Sequence, residues 1–146
     1  MQPARQIVPE AVPQPIQPTS GRSNKSVWAG RILGALPVLL LVFSAVMKLI
    51  KPPVLVQGFQ HFGLPISLAR PLGILELACA IIYVIPRTAV LGAILITGYM
   101  GGAILTHLRL GEPWIAEVLV GVFAWGGIFL RDRRVRALIP LRRDTE

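Results

Sequence analysis

From Ile32 to Leu130 the chain is a succession of long apolar stretches broken by few charges. Residues 32–47 carry none, and the run continues through Lys48 to Ile50, with Trp28 and Arg31 flanking its start. The pattern predicts a helix over 30–50, long enough at about 1.5 Å per residue to cross a bilayer core. Lys51, Pro52 and Pro53 end it, because proline lacks the donor N–H and pushes the residue before it out of helical geometry. Leu55, Phe59 and Phe62 then recur at i, i+4 and i+7 opposite Gln57, Gln60 and His61, which predicts a short amphipathic segment on the membrane surface. A second apolar run, 66–85, contains Arg70, Pro71 and Glu76 and closes at Pro86 and Arg87. Thr88 is placed to cap a third helix over 88–108. After a short connection at 109–113, with Trp114 at the interface, a fourth helix runs over 114–130. Short turns after the second and third helices make neighbours antiparallel. The predicted fold is all-α, an integral membrane four-helix up-down bundle.

The ends differ from this middle. Residues 1–27 are rich in Pro and Gln, hold five of the thirteen prolines and lack an apolar signal-peptide core, and so read as a disordered tail. A membrane domain over 28–143 follows, with residues 131–146 as a basic tail. Only 15% of the chain is charged and 53% is hydrophobic, whereas a soluble domain carries about 25% charged residues. The net charge of +8 comes from basic residues crowded at the two ends, so no basic stripe is offered to nucleic acid. Eleven of the fifteen Lys and Arg residues fall on the side of the termini, against Lys48, Lys51, Arg70 and Arg109 on the other, which places both termini in the cytoplasm of an inner-membrane protein. Cys79 is the only cysteine. An internal disulfide, a CxxC pair and a cysteine zinc site are thereby excluded, and Cys79 reads as a packing residue.

Glu76 is the most informative side chain, since an ionisable group at mid-helix costs about 2.5–3.5 kcal/mol on the insertion scale. It shares a helical stripe with Gly73, Ala80 and Tyr83, beside Cys79, and so faces other helices. Two readings stand together: a hydrogen bond that locks helices, or a protonatable, ligand-contacting site. Counted outward from the span midpoints, Lys48, Arg70, His107 and Glu117 fall on one half of the membrane. Lys48, Glu76, Tyr99, His107 and Glu117 are the candidate polar layer. Lys48 shares a face with Ser44, and Glu117 with Gly121 and Trp125. For Lys48 and Arg70, snorkelling to the interface is the competing reading. Tyr99 and Thr97 suit helix–helix hydrogen bonds, and the spacings Gly30/Gly34 and Gly98/Gly102 suit close packing. His107 lacks a buried histidine partner for haem, the only other histidine, His61, lying in the surface segment. No phosphate loop, nucleophile elbow or metal-ligand spacing is present, and no catalytic residue is assigned.

The stretch LGILELACAIIYVIPRTAVLGAILITGYMGGAILTHLRLGEPW resembles the DoxX-like family of small four-helix bacterial membrane proteins. The resemblance spans 27–143. Residues 73–76, the turn Ile85, Pro86, Arg87, Thr88, and residues 98–109 carry it most strongly, and Lys48 matches a recurrent lysine. It implies a membrane subunit of a redox system linked to quinone, which would bind a quinone-like or other small apolar ligand in the polar layer, with no cofactor of its own, working among lipid with redox partner proteins. The alternatives are a small proton-coupled transporter using Glu76, for which Pro37 and Pro71 would mark interrupted helices, and a structural membrane protein without ligand.

Overall fold

The computed structural model describes residues 24–138. They form α1 (Asn24–Ile50), α2 (Pro53–His61), a 3-10 turn (Ile66–Leu68), α3 (Ala69–Val84), α4 (Ala89–Arg109), α5 (Ile115–Arg131) and α6 (Arg133–Leu138), with no strand among them. The expected tails lie outside the described residues except at two points. α1 begins at Asn24, inside the stretch read as disordered, because residues 24–29 contain neither Pro nor Gly and a polar first turn extends a helix that apolar counting starts later. The basic end begins with α6, where the Asp132 carboxylate accepts the Arg134 amide at 2.8 Å, as an N-cap does. The second apolar run starts as a 3-10 turn, and its α-helix covers only Ala69–Val84. Pro37 lies buried inside a continuous α1, and Pro71 sits in the first turn of α3, where a missing N–H leaves no bond unmade. Neither proline interrupts a helix, which removes the sign of a broken-helix transporter.

α1 packs against α3 and α5, and α4 packs against the same two. Small residues set the spacing. A Cβ on Gly127 of α5 would stand 2.6 Å from the Gly34 Cα of α1, and one on Gly92 of α4 would stand 2.4 Å from the Tyr83 Cα of α3. Tyr83, wholly buried, donates from its hydroxyl to the Ala124 carbonyl at 2.8 Å, while the Arg131 guanidinium stacks 5.1 Å from its ring centre. Cys79 is buried beside it, among Ala80, Ile96 and Ala124. Thr88 stands at the N-terminus of α4 without capping it. Its hydroxyl donates back to the Ile82 carbonyl at 2.8 Å, satisfying the end of α3 instead.

The outer faces are apolar: Leu39, Ile50, Ile74, Ile81, Leu105 and Ile115 are exposed. Three segments, Lys25–Ile50, Ile66–Val84 and Ala89–Arg109, are long and apolar enough to cross a membrane. α5 is shorter, at 17 residues.

The glycines separate into two kinds, and this yields a measurable contrast. Gly127→Ala places a methyl group inside van der Waals contact with the α1 backbone and is expected to cost about 1–3 kcal/mol. A Cβ on Gly121 meets nothing within 4 Å, so Gly121→Ala is expected to be neutral or to gain up to about 1 kcal/mol in helix propensity. Thermal unfolding of the two variants in detergent measures the difference.

Candidate functional site: a buried ion pair beside an apolar groove

Glu76 projects from α3 toward α1 and is 2% exposed. It reaches Lys48 because of the residue one turn earlier: a Cβ on Gly73 would crowd the Ala45 carbonyl and the Lys48 Cβ, each at 3.1 Å, so glycine lets α1 approach. The Lys48 ammonium lies 3.0 Å from both carboxylate oxygens and also donates to the Ser44 hydroxyl, while Ser44 donates to Glu76 Oε1 at 3.0 Å. The three protons of the ammonium are thereby used within this group. Lys48 does not snorkel; its side chain is 13% exposed and turned inward. From α4 Tyr99 stands close enough to the same carboxylate to interact with it.

Beside this pair lies a groove of about 720 Å³. Phe43, Met47 and Lys48 form its α1 wall, and Gly98, Tyr99, Gly102, Thr106 and His107 its α4 wall. The expected packing role of Gly98 and Gly102 does not hold: a Cβ on either meets nothing within 4 Å, so the pair widens the groove. Gly30 and Gly34, by contrast, do serve the close α1–α5 contact. The segment expected on the membrane surface is α2, and its apolar residues Leu55, Phe59 and Phe62 line the groove.

α2 and α4 end alike. After α2, Gly63 at φ 65° lets its own amide bond the Gln60 carbonyl and the Leu64 amide the Phe59 carbonyl; after α4, Gly111 at φ 72° does the same with Leu108, and Glu112 with His107. This is the Schellman arrangement, in which glycine adopts the left-handed conformation at no steric cost. It folds Glu112 back under His107. Glu112 Oε2 lies 3.1 Å from His107 Nδ1, and Glu112 Oε1 lies 2.6 Å from His61 Nε2. On its other side His107 Nε2 lies 3.2 Å from Glu117 Oε1. Arg109 donates to the Phe62 carbonyl, and Phe62 stands edge-on to the His107 ring, 4.9 Å between centres.

The five expected layer residues therefore fall into two groups. Lys48 and Glu76 pair beside Tyr99, and His107 and Glu117 meet nearer the helix ends, with Lys48, Tyr99 and His107 all lining the groove. Glu117 instead lines a second cavity of about 710 Å³ between α4 and α5, with Gly121 and Trp125. There Thr97 links the helices, accepting from the Trp125 indole at 3.0 Å and donating to the Ala93 carbonyl at 2.8 Å. Glu112 and His61 did not figure in the expected layer; the sequence Leu-Gly-Glu after an apolar helix is the signal that folds Glu112 under His107. Among the described residues, no group of three or more His, Cys, Asp or Glu side chains is arranged to hold a metal ion.

An all-helical chain with membrane-length apolar segments and a paired charge in its interior is built as a small membrane protein. Residues 32–127 match the model of the DoxX-like family, and the chain belongs to that family. Neither the curated proteins nor the solved structures yield a match.

Removing one partner of a buried pair strands the other charge, at a cost of about 3–5 kcal/mol, whereas replacing both by apolar residues is often neutral. Lys48→Met alone is expected to lower the unfolding midpoint sharply, and Lys48→Met with Glu76→Leu to recover most of the loss. A double-mutant cycle by thermal unfolding in detergent measures the coupling.

Proposed function

We propose that this protein is a four-span inner-membrane protein, an up-down helical bundle with α5 as its short fourth span, that holds a small apolar ligand with a polar end in the groove between α1, α2 and α4. The observation that carries this reading is the groove itself: aromatic and aliphatic walls lined also by Ser44 and Lys48 from α1 and by Tyr99 and His107 from α4. Because the Lys48 charge is matched by Glu76, the groove favours a neutral ligand that accepts or donates hydrogen bonds over an anion. A quinone-class molecule fits that description, and the family resemblance supports a membrane subunit whose electrons come from a partner protein. A proton-coupled carrier working through Glu76 is the weaker reading, since Lys48 and Ser44 both hold that carboxylate.

Mass spectrometry of the organic extract of gently purified protein tests the reading. A neutral lipid-like molecule is expected with the parent and absent with Gly102→Leu, which fills the groove from a position where a Cβ meets nothing within 4 Å. The same extract from both proteins would overturn the groove as the site.

The charge distribution further predicts cytoplasmic termini. A reporter active only in the periplasm, fused after Glu146, is expected to stay silent; strong activity would reverse the orientation.

A further inference from the structure

Four titratable side chains stand in series where α2 meets the α4–α5 connection. His61 Nε2 is 2.6 Å from Glu112 Oε1, Glu112 Oε2 is 3.1 Å from His107 Nδ1, and His107 Nε2 is 3.2 Å from Glu117 Oε1. Side-chain exposure falls in the same order, from 61% to 30%, 26% and 16%. The series thus leads from water into the helical interior, with imidazole and carboxylate alternating. Glu112 and His107 each meet their two neighbours through two different atoms. Such a group can take a proton on one side and release one on the other, imidazole by exchanging tautomers.

We infer that His61, Glu112, His107 and Glu117 form a proton path from the aqueous surface beside α2 to Glu117 in the wall of the α4–α5 cavity, passing the groove at His107. In one transfer His61 takes a proton from water on Nδ1 and yields the one on Nε2 to Glu112 Oε1. Glu112 turns its carboxyl and passes a proton to His107 Nδ1, and His107 releases the proton on Nε2 to Glu117 Oε1. His61, Glu112 and His107 each end with the number of protons they began with, the two imidazoles in the opposite tautomer, and exchange of their N–H protons restores the starting tautomers. One proton has left water and one has reached Glu117.

Two further observations bear on this route. His107 Nδ1 and Glu117 Oε2 are sealed from solvent and make no hydrogen bond in the resting arrangement, so the Glu112 carboxyl must turn into line with His107 Nδ1 before a proton passes between them. Two cations of the groove region are engaged elsewhere: Arg109 of α4 bonds the Phe62 carbonyl, and Lys48 of α1, across the groove, is held by Glu76. The groups facing the path are then His61 from α2, His107 from α4, Glu112 from the connection and Glu117 from α5. The inference stands independently of what occupies the groove.

Time-resolved infrared spectroscopy of the full chain in phospholipid nanodiscs tests it. The bath is stepped from mildly alkaline to mildly acid, and growth of the protonated carboxyl absorption is followed, with Glu117→Gln assigning the Glu117 band. In His61→Gln and in Glu112→Gln that band is expected to appear about tenfold or more slowly while reaching the parental amplitude. His61 is an exposed side chain and Glu112→Gln keeps the shape of the carboxyl group, so both variants are expected to fold, which circular dichroism checks. Parental rates in both variants, or no Glu117 band at any pH where the protein stays assembled, would overturn the path.

Discussion

A carboxylate enclosed by apolar helices must be matched, and the satisfaction of Glu76 sets the relation of α1 to α3 at the heart of this molecule. Its partner comes from another helix, so the register of the two is constrained to bring Lys48 opposite Glu76. Gly73 is small for that reason, Ser44 fills the remaining hydrogen-bonding capacity, and Tyr99 brings α4 to the same point. Burial of such a pair adds little net stability compared with apolar packing, but an unmatched charge is severely penalised. The pair therefore acts against wrong registers of α1 and α3, where either charge would lie alone in hydrocarbon.

α4 has two faces that do different things. Gly98, Tyr99 and Gly102 turn toward the groove, while Thr97, Gly101 and Ile104 turn toward the cavity shared with α5. His107 stands near the end of this helix, lining the groove while its ring reaches Glu117 on the other side. A single helix thus separates two apolar spaces and joins them by one polar contact.

Much of the architecture was legible in the apolar pattern, because helices meant for lipid announce themselves by length and lack of charge. Glu76 could be placed inward because the residues at its helical spacing are small. The direction of Lys48 could not be read, since a long side chain near a helix end reaches water or a partner equally well and only the neighbouring helix decides. The same limit applies to Gly98 and Gly102: their spacing is that of a packing motif, and whether a partner helix occupies it depends on tertiary position. Thr88 was read as a cap for the helix that follows, whereas the tight turn presents it to the helix before. Glu112 and His61 were missed because their partnership depends on two glycine-ended helices, far apart in the chain, finishing at the same place.

A close seam joins the first and last long helices, where Gly34 of α1 meets Gly127 of α5. During synthesis, α1 waits in the membrane until everything between has been made. Lys48 finds Glu76 as soon as α3 arrives, but the Gly34–Gly127 contact forms only when α5 is delivered. Membrane assembly thereby ends with a closing step that a truncated chain cannot make, and a chain lacking α5 leaves the small-residue stripe of α1 open to lipid or to another copy's helices.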